Sequence, residues 1–129
     1  AILDAECRVE LAETLCAQVS RYVRASWAVT LDESDGILAS SGEPPALAWL
    51  SAFTYGSPTL FDDAVIEEID TVWAPLNEAG ARLVVGRETA FRSRERQRVA
   101  ALTAVADRWF RGLARQTRLE SVLAHPALG

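Results

Sequence analysis

The side chains of this 129-residue chain that could carry chemistry are one histidine, two cysteines, eighteen carboxylates and thirteen basic residues, all arginine. A Ser–His–acid or Cys–His arrangement has only His125 for its base. That residue precedes Pro126 in a terminal stretch of the kind that frays. Cys7 and Cys16 share one helical segment. A straight helix sets them ~13 Å apart along its axis and on opposite faces, whereas a disulfide needs Cα atoms within about 7 Å. They are expected as free thiols acting as small apolar filler. The acids gather in Asp32-Glu33-Ser34-Asp35-Gly36 and in residues 59–70, TLFDDAVIEEID. The first group has too few oxygen donors for a calcium loop and reads as a turn. The second has no histidine or patterned third ligand and reads as solvated surface. A glycosidase-type carboxylate pair must face itself across a cleft, and these acids fall in turns and on helix faces. The expectation is no catalytic residue, no metal, no cofactor and no enzyme. Loss of a plausible activity on mutating Asp62 and Asp63 is the result that overturns it. Arg108, Arg111, Arg115 and Arg118 form a helical stripe. It suits a solvated face, or a partner bearing acids like those of the first helix or of residues 62–70.

The bulk numbers narrow the class. The net charge of −5 argues against a nucleic-acid partner, which needs a positive surface. No run reaches the ~18 apolar residues of a membrane span, so no membrane is expected. The opening AILDAECRVELAE has acids in its first turns and no basic leader region, which suggests a cytoplasmic protein. Arginine without lysine, together with abundant alanine, suggests a GC-rich bacterial source. The missing methionine suggests a start inside a longer protein or a lost initiator, with an output domain or partner protein elsewhere.

Several elements must position these residues. A helix over 4–24 carries the stripe Leu3, Cys7, Leu11, Leu15, Val19 and Tyr22, with Glu6, Glu10 and Glu13 on another side. A hairpin spans 26–41, with Trp27, Val29 and Leu31 on one face of its first strand and Asp-Gly at its turn. Pro44-Pro45 opens a helix over 45–55, in which Leu47, Leu50 and Phe53, with Trp49 and Tyr55, make a bulky face; Gly56-Ser57-Pro58 ends it. Residues 56–70 form a variable loop, where Asp62 caps a short helix through Glu68 or Val65–Ile69 begin a strand. A second hairpin spans 71–87, turning at Asn77-Glu78-Ala79-Gly80 and returning through Leu83-Val84-Val85. Ser93 then caps a long helix over 93–123 with Glu95 in its first turn. Its stripe is Val99, Leu102, Val105 or Ala106, Trp109 and Leu113.

This order, with the phrases WAVTLDESDGILASSG, VWAPL, GARLVVGRE and AFRSRERQRVAALTAVADRW, resembles the GAF domain over about residues 8–115. VWAPL is similar to the family's apolar-Pro-Leu strand, and the last phrase to its closing helix. The chain is short for the family, which usually has more strand between the middle helix and VWAPL. The resemblance implies one α+β domain over 1–129, GAF-like and PAS-related. Its antiparallel sheet has about four to five strands, with the N- and C-terminal helices on one face and a middle helix and loop on the other.

The implied role is a sensory or regulatory domain of a bacterial signalling or transcription-control protein. Such a domain binds a small-molecule effector, dimerises through its terminal helices, or both. Trp27, Trp49, Phe53, Tyr55, Phe61, Trp73 and Arg87 are the candidates to line a ligand pocket, with Ser51 and Thr54 as further polar groups. Leu11, Leu15, Val19, Trp109, Leu113, Leu119 and Val122 are the candidates for a homodimer interface. The chemically committed subtypes fail residue by residue. A haem sensor needs a pocket histidine, and a bilin binder a pocket cysteine. A cyclic-nucleotide binder carries Asn-Lys-x-x-x-Phe-Asp-Glu, against Phe61-Asp62-Asp63 here and no lysine. A sulfoxide reductase needs cysteines in the sheet and loop region. The alternative is a ligand-free protein-interaction or dimerisation module whose aromatics fill its core.

Overall fold

The computed structural model describes residues 2–34, 36–57, 59–60, 70–77 and 80–124, with side chains in the long helices described over 6–23, 93–112 and at 115. Helix α1 (Ile2–Val23) leads into strands β1 (Trp27–Leu31) and β2 (Ile37–Gly42). Helix α2 (Leu47–Gly56) follows, then β3 (Thr71–Leu76), β4 (Ala81–Gly86) and α3 (Ser93–Ala124). Among the described residues the sheet has four strands in the order β2-β1-β4-β3, and every neighbouring pair is antiparallel.

Side-chain alternation along the strands divides the core in two. Ala28, Val72, Leu76, Leu83 and Val85 meet Leu15, Val19 and Val23 of α1 and Val99, Ala106 and Phe110 of α3. On the other face Val29, Leu31 and Val84 meet Leu50 of α2. The fold is therefore α+β, with both terminal helices on one face and the middle helix on the other, as the sequence suggests. Each fully buried Leu or Val contributes roughly 1.5–3 kcal/mol, so the α1/α3 side holds most of the apolar stabilisation.

The terminal helices are rotated relative to the expected stripes. The buried positions of α1 are Ala12, Leu15, Cys16, Val19 and Val23, and those of α3 are Val99, Thr103, Ala106 and Phe110. Tyr22, Val105 and Trp109 instead face outward. Spacings of three and four fit adjacent stripes equally well, and the sequence reading merged an inward stripe with an outward one. Val19, expected at a dimer interface, is a core residue sealed against the sheet, while Leu15 is buried beside it and also borders the cleft between α1 and α3. Leu113, Leu119 and Val122 have side chains outside the described residues.

Local chemistry ends the elements. Arg24 takes the left-handed conformation (φ 52°), and Ala25 N donates to Ser20 O at 3.1 Å, the bond that closes a helix in a Schellman motif. Asp32 Oδ1 accepts from Ser34 N at 2.9 Å and Gly36 N at 2.8 Å, so this carboxylate organises the β1–β2 turn. Gly42 has φ +75°, and a Cβ there would lie 2.1 Å from Ser26 O; only glycine fits. Pro44 and Pro45 precede α2 instead of opening it, with Ala46 at the N-cap. Ser93 is the first residue of α3 and not its cap. Cys7 and Cys16 are free. Cys16 Sγ lies 3.2 Å from Thr30 Oγ1, and burial pushes this thiol up from its ordinary range.

Candidate functional site

Three surfaces gather the residues that the sequence singles out. The first is the face between α2 and the sheet. Trp49 and Phe53, one helical turn apart on α2, stack with ring centroids 5.3 Å apart, and Trp27 of β1 meets Trp49 edge-on at 6.4 Å. The Trp27 indole lies against Gly86, its cross-strand partner, where a Cβ would approach the ring to 2.2 Å. Trp73 Nε1 donates to Ser57 O at 2.9 Å, tying β3 to the end of α2. Thr54 Oγ1 donates to Ser51 O at 3.0 Å and accepts from Arg82 Nη1 at 2.9 Å. The Arg82 guanidinium also sits over the Tyr55 ring at 5.5 Å, while Tyr55 itself is 77% exposed. Trp27, Trp49, Phe53 and Trp73 are thus brought together as expected. They face one another and the sheet, and the nearby polar groups already have partners. Phe61 lies outside the described residues. Arg82 escaped the sequence reading, although its outward place in β4, between Ala81 and Leu83, put it on the α2 side.

Arg87 is the second locus, and it departs from expectation. It is not on the α2 face; it pins the end of β4 to the start of α3. Its Nη1 donates to Val23 O at 2.6 Å and to Glu95 Oε2 at 2.7 Å. Its Nη2 donates to Ala90 O and Glu95 Oε1, each at 2.6 Å. Nε donates to Thr89 O at 2.9 Å, and the guanidinium covers the Phe91 ring at 4.4 Å. Glu95 Oε1 also accepts from Arg92 N at 2.9 Å, the reach-back of a capping box. The cap position of α3 is therefore Arg92, whose carbonyl accepts from Arg96 N.

The hydrogen bonds from Arg87, followed by that from Arg92 N, hold the Glu95 carboxyl at about 2. A depressed carboxylate adds stability that is present above its unfolded value and lost as pH falls through the folded one. Stability is therefore expected to fall between about pH 5 and pH 2. Glu95→Gln is expected to cost about 1–2 kcal/mol at pH 7, discounted because the side chain is 26% exposed, and to lose that part of the acid dependence. Urea melts from pH 7 to pH 3 check this. An unchanged pH slope in the variant contradicts it.

The third surface is the outer side of the α1/α3 pair. The helices run antiparallel, with Tyr22 under Arg98 and Cys7 near Gly112. Between them runs an almost wholly apolar cleft of about 330 Å³ lined by Leu11, Leu15, Leu102, Val105, Ala106 and Trp109. Thr14 and Gln18 are its polar members. It joins a hollow at Cys7, Glu10, Arg108 and Gly112 at one end and one at Tyr22, Arg98 and Ala101 at the other. Trp109 is 67% exposed, Tyr22 51% and Val105 47%. Of the expected interface, Leu11, Leu15 and Trp109 lie here. Tyr22, Ala101, Leu102 and Val105 were not assigned to it, although 98, 101, 105 and 109 share one helix face.

The fold has a counterpart among solved structures. The crystal structure of the blue-light absorbing form of the Thermosynechococcus elongatus PixJ GAF domain matches with a TM-score of 0.67, covering 98% of each chain at 13% identity. The chain has the GAF fold. No protein-family model matches the sequence, and no curated protein matches it. On the α2 side Trp27, Trp49 and Phe53 pack on one another, with Trp49 and Tyr55 still part-exposed, and the helix pair exposes Tyr22, Val105 and Trp109. Among the described residues no group of three or more His, Cys, Asp or Glu is placed to hold a metal, and no helix is long and apolar enough to cross a membrane.

Proposed function

We propose that this GAF-fold chain is a regulatory module that acts by associating through its terminal helices. The observation that carries the reading is the continuous apolar strip along α1 and α3, with Val105 and Trp109 standing open beside the cleft. Large aromatic and aliphatic side chains aligned on two packed helices cost free energy in water, and burial against a second copy recovers it. A homodimer places four helices around that strip, with coiled-coil-like packing. Change in one copy can then pass along α1 or α3 to whatever polypeptide is joined to them. A role in signalling or transcription control in a bacterial cytoplasm fits this mode of action. The reading assigns the chain no reaction, metal or cofactor.

A small-molecule sensor is the second reading, and the aromatic set of the α2 face favours it. Trp27, Trp49, Phe53 and Trp73 are residue types that line ligand sites. Against it stands their mutual packing, with Thr54 and Ser51 engaged by each other and by Arg82. The neighbouring structure is described as light-absorbing. In this chain a thiol-linked chromophore on the α2 face has no cysteine to use, because Cys7 and Cys16 both lie on α1.

Native mass spectrometry of the freshly purified protein separates the two readings. The expected spectrum is a dimer of unmodified chains with no added mass. A reproducible excess mass per chain overturns the ligand-free reading and gives the size of the ligand.

A further inference from the structure

We propose that the polar hollow where α1 ends and α3 begins is a binding site for a small anion carrying a diphosphate group. The inference goes beyond the association reading, adding an exchangeable effector to a module to which that reading gives no resident ligand. It is carried by where the cations gather. The chain as a whole has a net charge of −5. Yet a hollow of about 880 Å³ is walled by Arg87, Arg92, Arg94 and Arg98 against a single acid, Glu95. That carboxylate is already held by both Nη atoms of Arg87 and by Arg92 N. Arg92, Arg94 and Arg98 are left in excess, and all three are exposed. Among the described residues none pairs with Arg94, and the Arg98 guanidinium rests over the Tyr22 ring. Arg96 turns away to donate to Phe91 O at 2.7 Å. Glu88 and Asp70, the other acids beside Arg87, are not in the wall.

Nothing inside the domain rewards this placement. Arg92 is the cap residue of α3, a side chain with donors and no acceptor, at the positive end of the helix dipole where added positive charge is unfavourable. Arg94 and Arg98 follow one turn apart on a single face, with roughly 6 Å between Cβ atoms. An anion seated in the hollow offsets the crowding of all three. Guanidinium forks bind phosphate oxygens two at a time. Several forks around one hollow call for an anion with oxygens on more than one centre, where a lone carboxylate offers two. Tyr22 and Thr89 add hydroxyls to the wall, and the volume is that of a small-molecule site. The site is complete within one chain. Tyr22 and Arg98 also wall the end of the apolar strip, so a bound anion lies beside the association surface without needing it. Because the walls are open to water, the ligand exchanges and leaves during purification.

Isothermal titration of the full chain with inorganic pyrophosphate, in phosphate-free buffer at about 0.1 M ionic strength, tests the site. Saturable binding of pyrophosphate is expected, with equal stoichiometry in monomer and dimer. Arg94→Ala and Arg98→Ala are each expected to weaken it about tenfold, the loss of one charge-assisted hydrogen bond. Both side chains are exposed, and far-UV circular dichroism checks that the fold is kept. Arg115→Ala is the control for overall charge. That arginine is also exposed on α3, roughly 25 Å along the axis from Arg98 and beyond the ~10 Å screening length, so its loss is expected to leave the affinity unchanged. Citrate, whose charge is carried on carboxylates, is expected to bind more weakly than pyrophosphate. A dissociation constant above about 10 mM, an unchanged affinity in both hollow variants, equal weakening by Arg115→Ala, or equal affinity for citrate overturns the proposal. None of these outcomes depends on the oligomeric state, so the site and the association reading fail separately.

Discussion

Arg87→Ala is expected to lower the stability of the isolated domain by about 3 kcal/mol, the low end of the range for breaking a buried ion pair. For a chain of this length that is a drop in Tm of roughly 10 °C. Three consequences combine. The carbonyls of Val23 and Ala90 lose a charge-assisted donor at 2.6 Å each. Phe91, a buried member of the main core, loses the guanidinium that covers it. Glu95 keeps its bond from Arg92 N but loses the cation that neutralises it. The cost stays at the low end because Glu95 retains access to water. Since Arg87 joins the last residue of α1, the end of β4 and the first turn of α3, the loss is expected to be cooperative and not confined to one loop. Thermal melts of wild type and variant measure it. A change below about 1 kcal/mol, the range of an ordinary surface ion pair, contradicts the role assigned here.

Replacing Val105 and Trp109 together by glutamate is expected to weaken self-association roughly a thousandfold or more. The substitutions remove a Trp anchor and seat four unpaired carboxylates in the two-fold interface, where each is costly to desolvate. The fold of the single chain is expected to survive, because both side chains face outward and the buried row of α3, Val99, Thr103, Ala106 and Phe110, is untouched. Light scattering on size-exclusion fractions reports the association, and far-UV circular dichroism reports the helix content. Loss of helicity at concentrations where the wild type is folded contradicts the outward assignment. An undiminished dimer moves the interface elsewhere.

Much of the architecture was legible in the sequence because it rests on period and punctuation. Trp27, Val29 and Leu31 alternate with Ala28 and Thr30, and that alternation sorts β1 into an α2 side and a helix-pair side. Asp32 and Gly36 announced the first turn, and Gly80 the second with φ 63°. What period could not settle was helix rotation. Val105 and Ala106 fit the same stripe equally well, and only the packing of Ala106 under Phe110 against the sheet decides between them. Val19 went to the wrong surface for the same reason. Two adjacent stripes on one helix, one for the core and one for a partner, leave the same spacings in the sequence.

The functional residues divided similarly. The aromatics of the α2 face are large and rare, and their types alone brought them together. Arg87 was misplaced because an arginine after a strand has no local signal for where its guanidinium goes. Its partners Val23, Ala90 and Glu95 are set by the meeting of three elements. Gly86 carried no signal either, since the indole that rests on it comes from Trp27 across the sheet.

Sedimentation equilibrium of the unmodified chain tests the central claim most directly. The account expects a reversible association with a limiting mass of twice the 14.1 kDa of one chain. A single species of 14.1 kDa at every concentration up to about 100 µM, where even a weak dimer forms, contradicts it.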